Sequence, residues 1–214
     1  MTFSRRSFFI GGLTTAGAAL VTSSASASVR PFTQRAGKLN VMLDSMQVEE
    51  RWIAGAHVDW VTGLPDGVPV SGTGRHTHCS AFAASLAMRV GVYLLRPPEH
   101  GQELLANAQC EWLATEGRRA GWLSVPDPFA AQDIANRGDL VVATYHNHNP
   151  NKPGHTGVLR PSLKSDEQIL LEGPDSIMAS TINHRLISIR EGFAGHPSAW
   201  DNNEIFYYAA RLYW

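Results

Sequence analysis

The 214-residue sequence has only two cysteines, no run of basic residues and no paired CxxC or HExxH motif. Two Cys in this length exclude a disulfide-built scaffold; they leave one bridge, or one reactive thiol and a bystander. Its 18 Lys and Arg, set against 19 Asp and Glu, are not clustered. That argues against nucleic acid as the main partner, because phosphate neutralisation needs gathered positive charge. Six Trp, five Tyr, eight Phe and 43% hydrophobic residues exclude a disordered chain and provide for one well-filled core. After residue 37 no internal repeat, low-complexity run or linker is visible, so residues 28–214 read as a single domain. What is abundant is histidine, with nine.

The first 27 residues read as an export signal and are set apart from the fold. Arg5 and Arg6 precede a Gly- and Ala-rich apolar stretch from Ile10 to Val21 that is too short to span a bilayer with margin. Ala25-Ser26-Ala27 supplies the small residues that a signal peptidase needs. The Ser4-Arg5-Arg6-Ser7-Phe8-Phe9 core resembles a twin-arginine signal, which implies a periplasmic or secreted protein with no stable membrane span after cleavage. Removing 1–27 takes away two Arg and no acidic residue, leaving 16 positive against 19 negative charges in a mildly acidic chain.

Apolar spacing orders the rest. Leu39, Leu43, Met46, Glu50 and Ile53 predict a first helix ending before Gly55. Turn residues at 63–67 and 71–74 lead to Thr77-His78-Cys79, where Cys79, Phe82, Ala83, Leu86 and Val90 form one helical stripe with the thiol in its first turn. A helix is predicted over Glu99–Gly117, with Cys110 inside it. Asp127-Pro128 and Gly138 read as the cap, first-turn proline and terminal glycine of another. Strands are predicted at 140–143, 156–159, 168–172, 182–189 and 204–214. Helices first and strands later, joined by short loops, give an α+β chain with an antiparallel sheet.

The chemistry centres on Cys79. A thiol in a helix's first turn meets unpaired backbone N–H groups and the positive end of the helix dipole, both of which favour the thiolate. His155 opens a strand after a polar loop, as suits a general base. Pairing 155–160 with 167–172 gives indices summing to 327 and sets Glu172 opposite His155 as its orienter. A slip of one residue would leave Asn183 in that role. The Cys79 N–H is a natural oxyanion donor, and Tyr145 or His78 could supply a second. Trp52, Trp60, Trp112 and Trp122 read as core anchors.

Cys79-Ser80-Ala81-Phe82 at a helix start, Gly138-Asp139-Leu140-Val141-Val142 entering a strand, and Gly154-His155-Thr156-Gly157-Val158 in the next resemble the ordered motifs of NlpC-like and CHAP cysteine hydrolases, members of the papain-like superfamily. The resemblance covers about residues 75–175. It implies a helix packed on an antiparallel sheet and a Cys–His dyad with a polar third residue. It further implies cleavage of amide bonds in peptidoglycan peptides through an acyl-enzyme, with no cofactor or metal. His78 departs from the Asp common before the nucleophile, and Glu172 from the His common as third residue in NlpC-like members, so the bond cut stays open.

Two other readings compete. His76, His78, Cys79, His146, His148 and His155 include two His-x-His pairs and could serve a zinc-dependent hydrolase or a structural zinc. Alternatively, a Cys79–Cys110 disulfide would make the chain a non-catalytic exported binding module.

Overall fold

The computed structural model describes residues 32–70 and 76–214. The export-signal reading of 1–27 and the turn at 71–74 lie outside the described residues. The first helix, α1 (Gln34–Ser45), is capped by the Thr33 hydroxyl, which accepts the Ala36 N–H, and it buries Ala36, Leu39 and Leu43. It ends well before the expected Ile53, because Gln47 and Trp52 take left-handed backbone conformations. Met46, Val48 and Trp52 are still buried, but from a turn. The Asn183 amide pins that turn by donating to the Val48 and Arg51 carbonyls at 2.7 and 2.6 Å.

Three further helices follow the sequence more closely. Helix α2 (Cys79–Arg89) begins at the thiol and is buried along nearly its whole length. Helix α3 (Leu105–Thr115) starts six residues after Glu99, behind a left-handed Leu104. Helix α4 (Pro128–Asn136) has the predicted Asp127 cap, and Gly138 leaves it at φ +85°.

Among the described residues, six strands form one antiparallel sheet: β1 (Trp122–Val125), β2 (Leu140–Tyr145), β3 (His155–Leu159), β4 (Asp175–Met178), β5 (His184–Ser188) and β6 (Phe206–Ala210). Their spatial order is β1-β6-β2-β3-β4-β5. The α+β class with an antiparallel sheet is thus observed. Residues 166–172 are not a strand, however; they are a helix, α5 (Asp166–Glu172). Ser165 and Gln168 close a reciprocal capping box, two acidic residues sit in the first turn, and only Ile169 is buried. Local capping outweighs the strand preference of Ile169-Leu170-Leu171. The partner of β3 is β4, with Val158 opposite Ile177, so paired indices sum to 335 rather than 327.

Both sheet faces are covered, which is why β2 and β3 are buried throughout instead of alternating. Leu140, Val142, Val158, Ile177, Tyr208 and Ala210 face α1 to α3, with Trp52 edge-on to Phe82 at 5.1 Å. Val141, Ala143, Tyr145, Leu159, Met178 and Tyr207 face α4 and two short helices, α6 (Ile189–Gly192) and α7 (Pro197–Asp201). Buried Gln132 of α4 joins the second layer to the chain between β3 and β4: its Nε2 donates to the Arg160 carbonyl at 2.8 Å, and its Oε1 accepts from Asp175 N–H and Ser162 Oγ.

Phe82 sits at the centre of the first layer. We predict that Phe82→Ala lowers the free energy of unfolding by about 3–5 kcal/mol, read from urea titrations; a change below about 1 kcal/mol would contradict this packing.

Candidate active site

Cys79 starts α2, and among the described residues no side chain caps that helix. The first-turn N–H groups are left for the sulfur itself. Burial pushes the Cys79 thiol up. The N–H groups of Thr156, Ser80 and Cys79, together with the Thr77 side chain, act in the opposite direction without prevailing. The sequence expectation of a favoured thiolate is corrected on this point: at 2% exposure, desolvation outweighs the helix terminus. The sulfur meets the N–H of the peptide joining His155 to Thr156, at the opening of β3.

His155 is 4% exposed. Gly154 before it is required by close approach, since a Cβ there would overlap the Tyr145 carbonyl oxygen and the Asn107 amide oxygen. Along β3 alternate residues face opposite sides. Thr156 turns toward α3, its hydroxyl donating to Gln109 Oε1 at 3.2 Å. His155, paired with Tyr145, turns to the other layer, where Phe193 meets its ring edge-on at 4.7 Å and His196 lies tilted at 5.8 Å. Its Nε2 contacts Met178 Sδ at 3.4 Å. Burial, with His196 adding to it, pushes the imidazole down to about 3. Among the described residues no hydrogen bond joins Cys79 to His155; the sulfur lies at the histidine's own peptide while the ring leaves toward α6 and α7.

One buried side chain ties the two together. Gln109 of α3, fully buried, donates to the carbonyls of Ser80 and Leu95 at 3.0 Å each and accepts from Thr156. It therefore bonds the residue after the thiol and the residue after the histidine. A pocket of about 310 Å³ opens beside His155, lined also by Thr77, Met178, His184 and His196.

The remaining expected site residues have other partners. Glu172 ends α5 and pairs with Lys164 Nζ at 2.9 Å, so it does not orient His155; the changed register brings Met178 to the imidazole instead. Asn183, the fallback orienter, is spent on the α1–Trp52 turn. His78 Nε2 bonds the Ala56 carbonyl at 2.7 Å, and burial lowers the ring's pKa. Tyr145 shares a hydrogen bond with Ser198 at 3.3 Å. Neither is positioned as an oxyanion donor.

The histidine-rich loops are not gathered. His146 pairs with Glu111 and His148 with Glu204, each at 2.9 Å. Among the described residues no three His, Cys, Asp or Glu side chains converge as metal ligands. Cys79 and Cys110 are both free thiols, so the bridge of the binding-module reading is not formed; the Cys110 thiol sits instead against the Thr144 hydroxyl.

Sequence reasoning missed Met178, Phe193 and His196 around the imidazole and Gln109 beneath it. A Gly195-His196-Pro197 turn is the one local signal for His196; the others come from tertiary packing. No protein-family model matches the chain, and no curated protein matches it in sequence.

The His155 value carries a pH signature. Because the folded pKa lies below the ordinary 6.5, the neutral ring's stability is fully present above about pH 6.5 and is lost as pH falls toward 3, where the folded ring takes its own proton. We predict that unfolding free energy drops by about 3 kcal/mol more between pH 7 and 4 in the wild type than in His155→Gln. Equal falls in urea titrations at the two pH values would refute the burial of a neutral ring.

Proposed function

We propose that the chain is a papain-like cysteine hydrolase of amide bonds, with Cys79 as nucleophile and His155 as general base, acting on peptidoglycan peptides outside the cytoplasm. The observation that carries this reading is the meeting of the Cys79 sulfur, at the amino end of α2, with the first peptide of β3, whose residue is a buried histidine. The order of helix-borne Cys and strand-borne His on an antiparallel sheet supports the papain-like arrangement. The cell-wall substrate is supported by the three motifs that resemble NlpC-like and CHAP hydrolases, and export by Arg5-Arg6 and Ala25-Ser26-Ala27.

Both reacting groups rest neutral, the thiol raised and the imidazole lowered. The reaction therefore begins with proton transfer during attack rather than from a preformed ion pair. Substrate displaces the Thr77 side chain from the sulfur, and His155 turns off Met178. The thioether, a weak hydrogen-bond acceptor, opposes this turn little, but the ring must also leave its edge-on contact with Phe193 and swing from the layer of α6 and α7 toward the start of α2 to reach the sulfur. As Cys79 Sγ bonds to the amide carbon, its proton passes to His155, and the carbonyl oxygen gains negative charge near the Cys79 N–H. The imidazolium then protonates the leaving nitrogen as the C–N bond breaks. Water, giving one proton to His155, attacks the thioester; the C–S bond breaks, the His155 proton returns to sulfur, and the carboxylic acid product leaves and loses its proton to solvent.

The test is mass spectrometry of purified sacculi after digestion. The wild type is expected to release new amino termini, Cys79→Ala none, and His155→Ala roughly 10²–10⁴-fold fewer. Identical profiles for wild type and Cys79→Ala would remove the proposal. Iodoacetamide is expected to abolish activity while a chelator leaves it. Glu172→Gln should hydrolyse within about twofold of wild type, since Glu172 pairs with Lys164 rather than His155; a loss comparable to that of His155→Ala would return Glu172 to the site.

A further inference from the structure

On the sheet face toward which His155 turns, a second cavity of about 370 Å³ opens between β6, the start of α4, α5 and α7. Its wall is largely apolar, with Leu170, Trp200 and Ile205 beside Tyr207 of β6. Tyr207 is 7% exposed, and among the described residues its hydroxyl has no hydrogen-bond partner. The oxygen is not sealed from water, and this cavity is the one that the residue borders. A polar group so deeply buried and left unpaired is rare, and it marks a place for a bound partner. Burial pushes the Tyr207 phenol up from its ordinary value, so it keeps its proton to donate. Asp127 and Asn203, both exposed, border the same cavity. Asp127 Oδ1 accepts the Ala130 N–H at 2.8 Å as the cap of α4. Its other oxygen and the Asn203 amide are unbonded among the described residues.

These groups select a class of ligand. An anion is repelled by Asp127, and among the described residues no Lys or Arg borders the cavity to offset it; Arg190, over the Trp200 ring at 5.7 Å, borders the neighbouring cavity instead. A cation meets a carboxylate whose charge is already shared with the amino end of α4. A neutral ring bearing several hydroxyls fits both kinds of wall. Its apolar face rests on Trp200 and Leu170, while its hydroxyls donate to Asp127 and exchange hydrogen bonds with Tyr207 and Asn203. We infer that this cavity binds a sugar ring, the glycan end of a peptidoglycan substrate. This deepens the hydrolase reading and rests on it. Trp200 also borders a cavity of about 670 Å³ that shares Glu191 and Ala194 with the pocket beside His155, so depressions continue past α6 and α7 from Tyr207 to the imidazole. Tyr207 pairs with Ala143 of β2, and His155 with Tyr145 of β2. That places them two strands apart, about 10 Å across the sheet. An extended stem peptide, rising about 3.3–3.6 Å per residue, covers this distance in about three residues.

The test is calorimetric titration of the full-length Cys79→Ala protein with two ligands: the tetrapeptide stem of peptidoglycan alone, and the same stem attached to its N-acetylglucosaminyl-N-acetylmuramoyl disaccharide. The sugar-bearing ligand is expected to bind about tenfold tighter. Tyr207→Phe in that background removes only the unpaired hydroxyl. It is expected to lower this ratio about three- to tenfold and to leave the melting temperature unchanged, since no bond within the protein is lost. Asn203→Gly, which suits the left-handed backbone at φ +56°, is the second variant, with an expected fall of about two- to fivefold. Equal affinity for the two ligands, no binding of either at millimolar concentration, or a ratio that neither variant lowers overturns the inference. Sugar-dependent binding that Tyr207→Phe weakens, in a protein whose wild type hydrolyses nothing, would keep the sugar site and remove the hydrolase. Wild-type hydrolysis of both ligands with the same KM would do the reverse.

Discussion

The buried Gln109 amide is the interaction on which the arrangement of the site depends. Its Nε2 holds Ser80 and Leu95, and its Oε1 receives the Thr156 hydroxyl. A fully buried amide is tolerated only when its polar atoms are satisfied, so the three segments it joins are fixed together. Asn107, two residues earlier on α3, clamps the 147–153 loop by donating to the Lys152 carbonyl and accepting the Asn147 N–H. One helix thereby sets the start of α2, the start of β3 and the loop that delivers His155. Gly154 permits the tight approach that this demands.

Desolvation governs the charge states at this junction. A helix amino terminus favours an anion by fractions of a kcal/mol to about 2 kcal/mol, whereas removal from water can move a buried group's pKa by several units. At Cys79 the second effect prevails despite several N–H groups around the sulfur, and at His155 it is reinforced by His196. The imidazole is held by shape instead: Phe193 edge-on, His196 tilted beside it and a thioether at Nε2. Orientation by packing and a soft acceptor takes the place of orientation by a carboxylate.

Much of the scaffold around the thiol was legible in the amino-acid order. The apolar stripe from Cys79 to Val90, the Asp127-Pro128 start and Gly138 stop of α4, and the apolar runs of β2 and β3 each carry a strong local signal. Residues 168–172 misled because Ile169-Leu170-Leu171 favours a strand, while the decisive Ser165–Gln168 pair lies at its edge. That single misreading moved the register and with it the orienter, since β4, only four residues long, has little periodicity to announce it. Helices of four and five residues, α6 and α7, are too short to display a 3.6-residue repeat, so Phe193 and His196 had no visible element to belong to. Alternation along β3 separates His155 from Thr156, but which helices cover which face is decided by the whole chain.

Gln132 has a consequence for how such a chain can change length. Its side chain bonds both ends of the excursion that leaves β3 and returns as β4, at Arg160, Ser162 and Asp175, and Asn136 beside it takes the Ser162 carbonyl and N–H. An insertion or deletion inside that excursion must keep both ends at one amide, so α5 can lengthen outward only as a loop grafted between fixed posts. Variation in size is channelled toward the solvent side of that connection, and the sheet beneath is insulated from it.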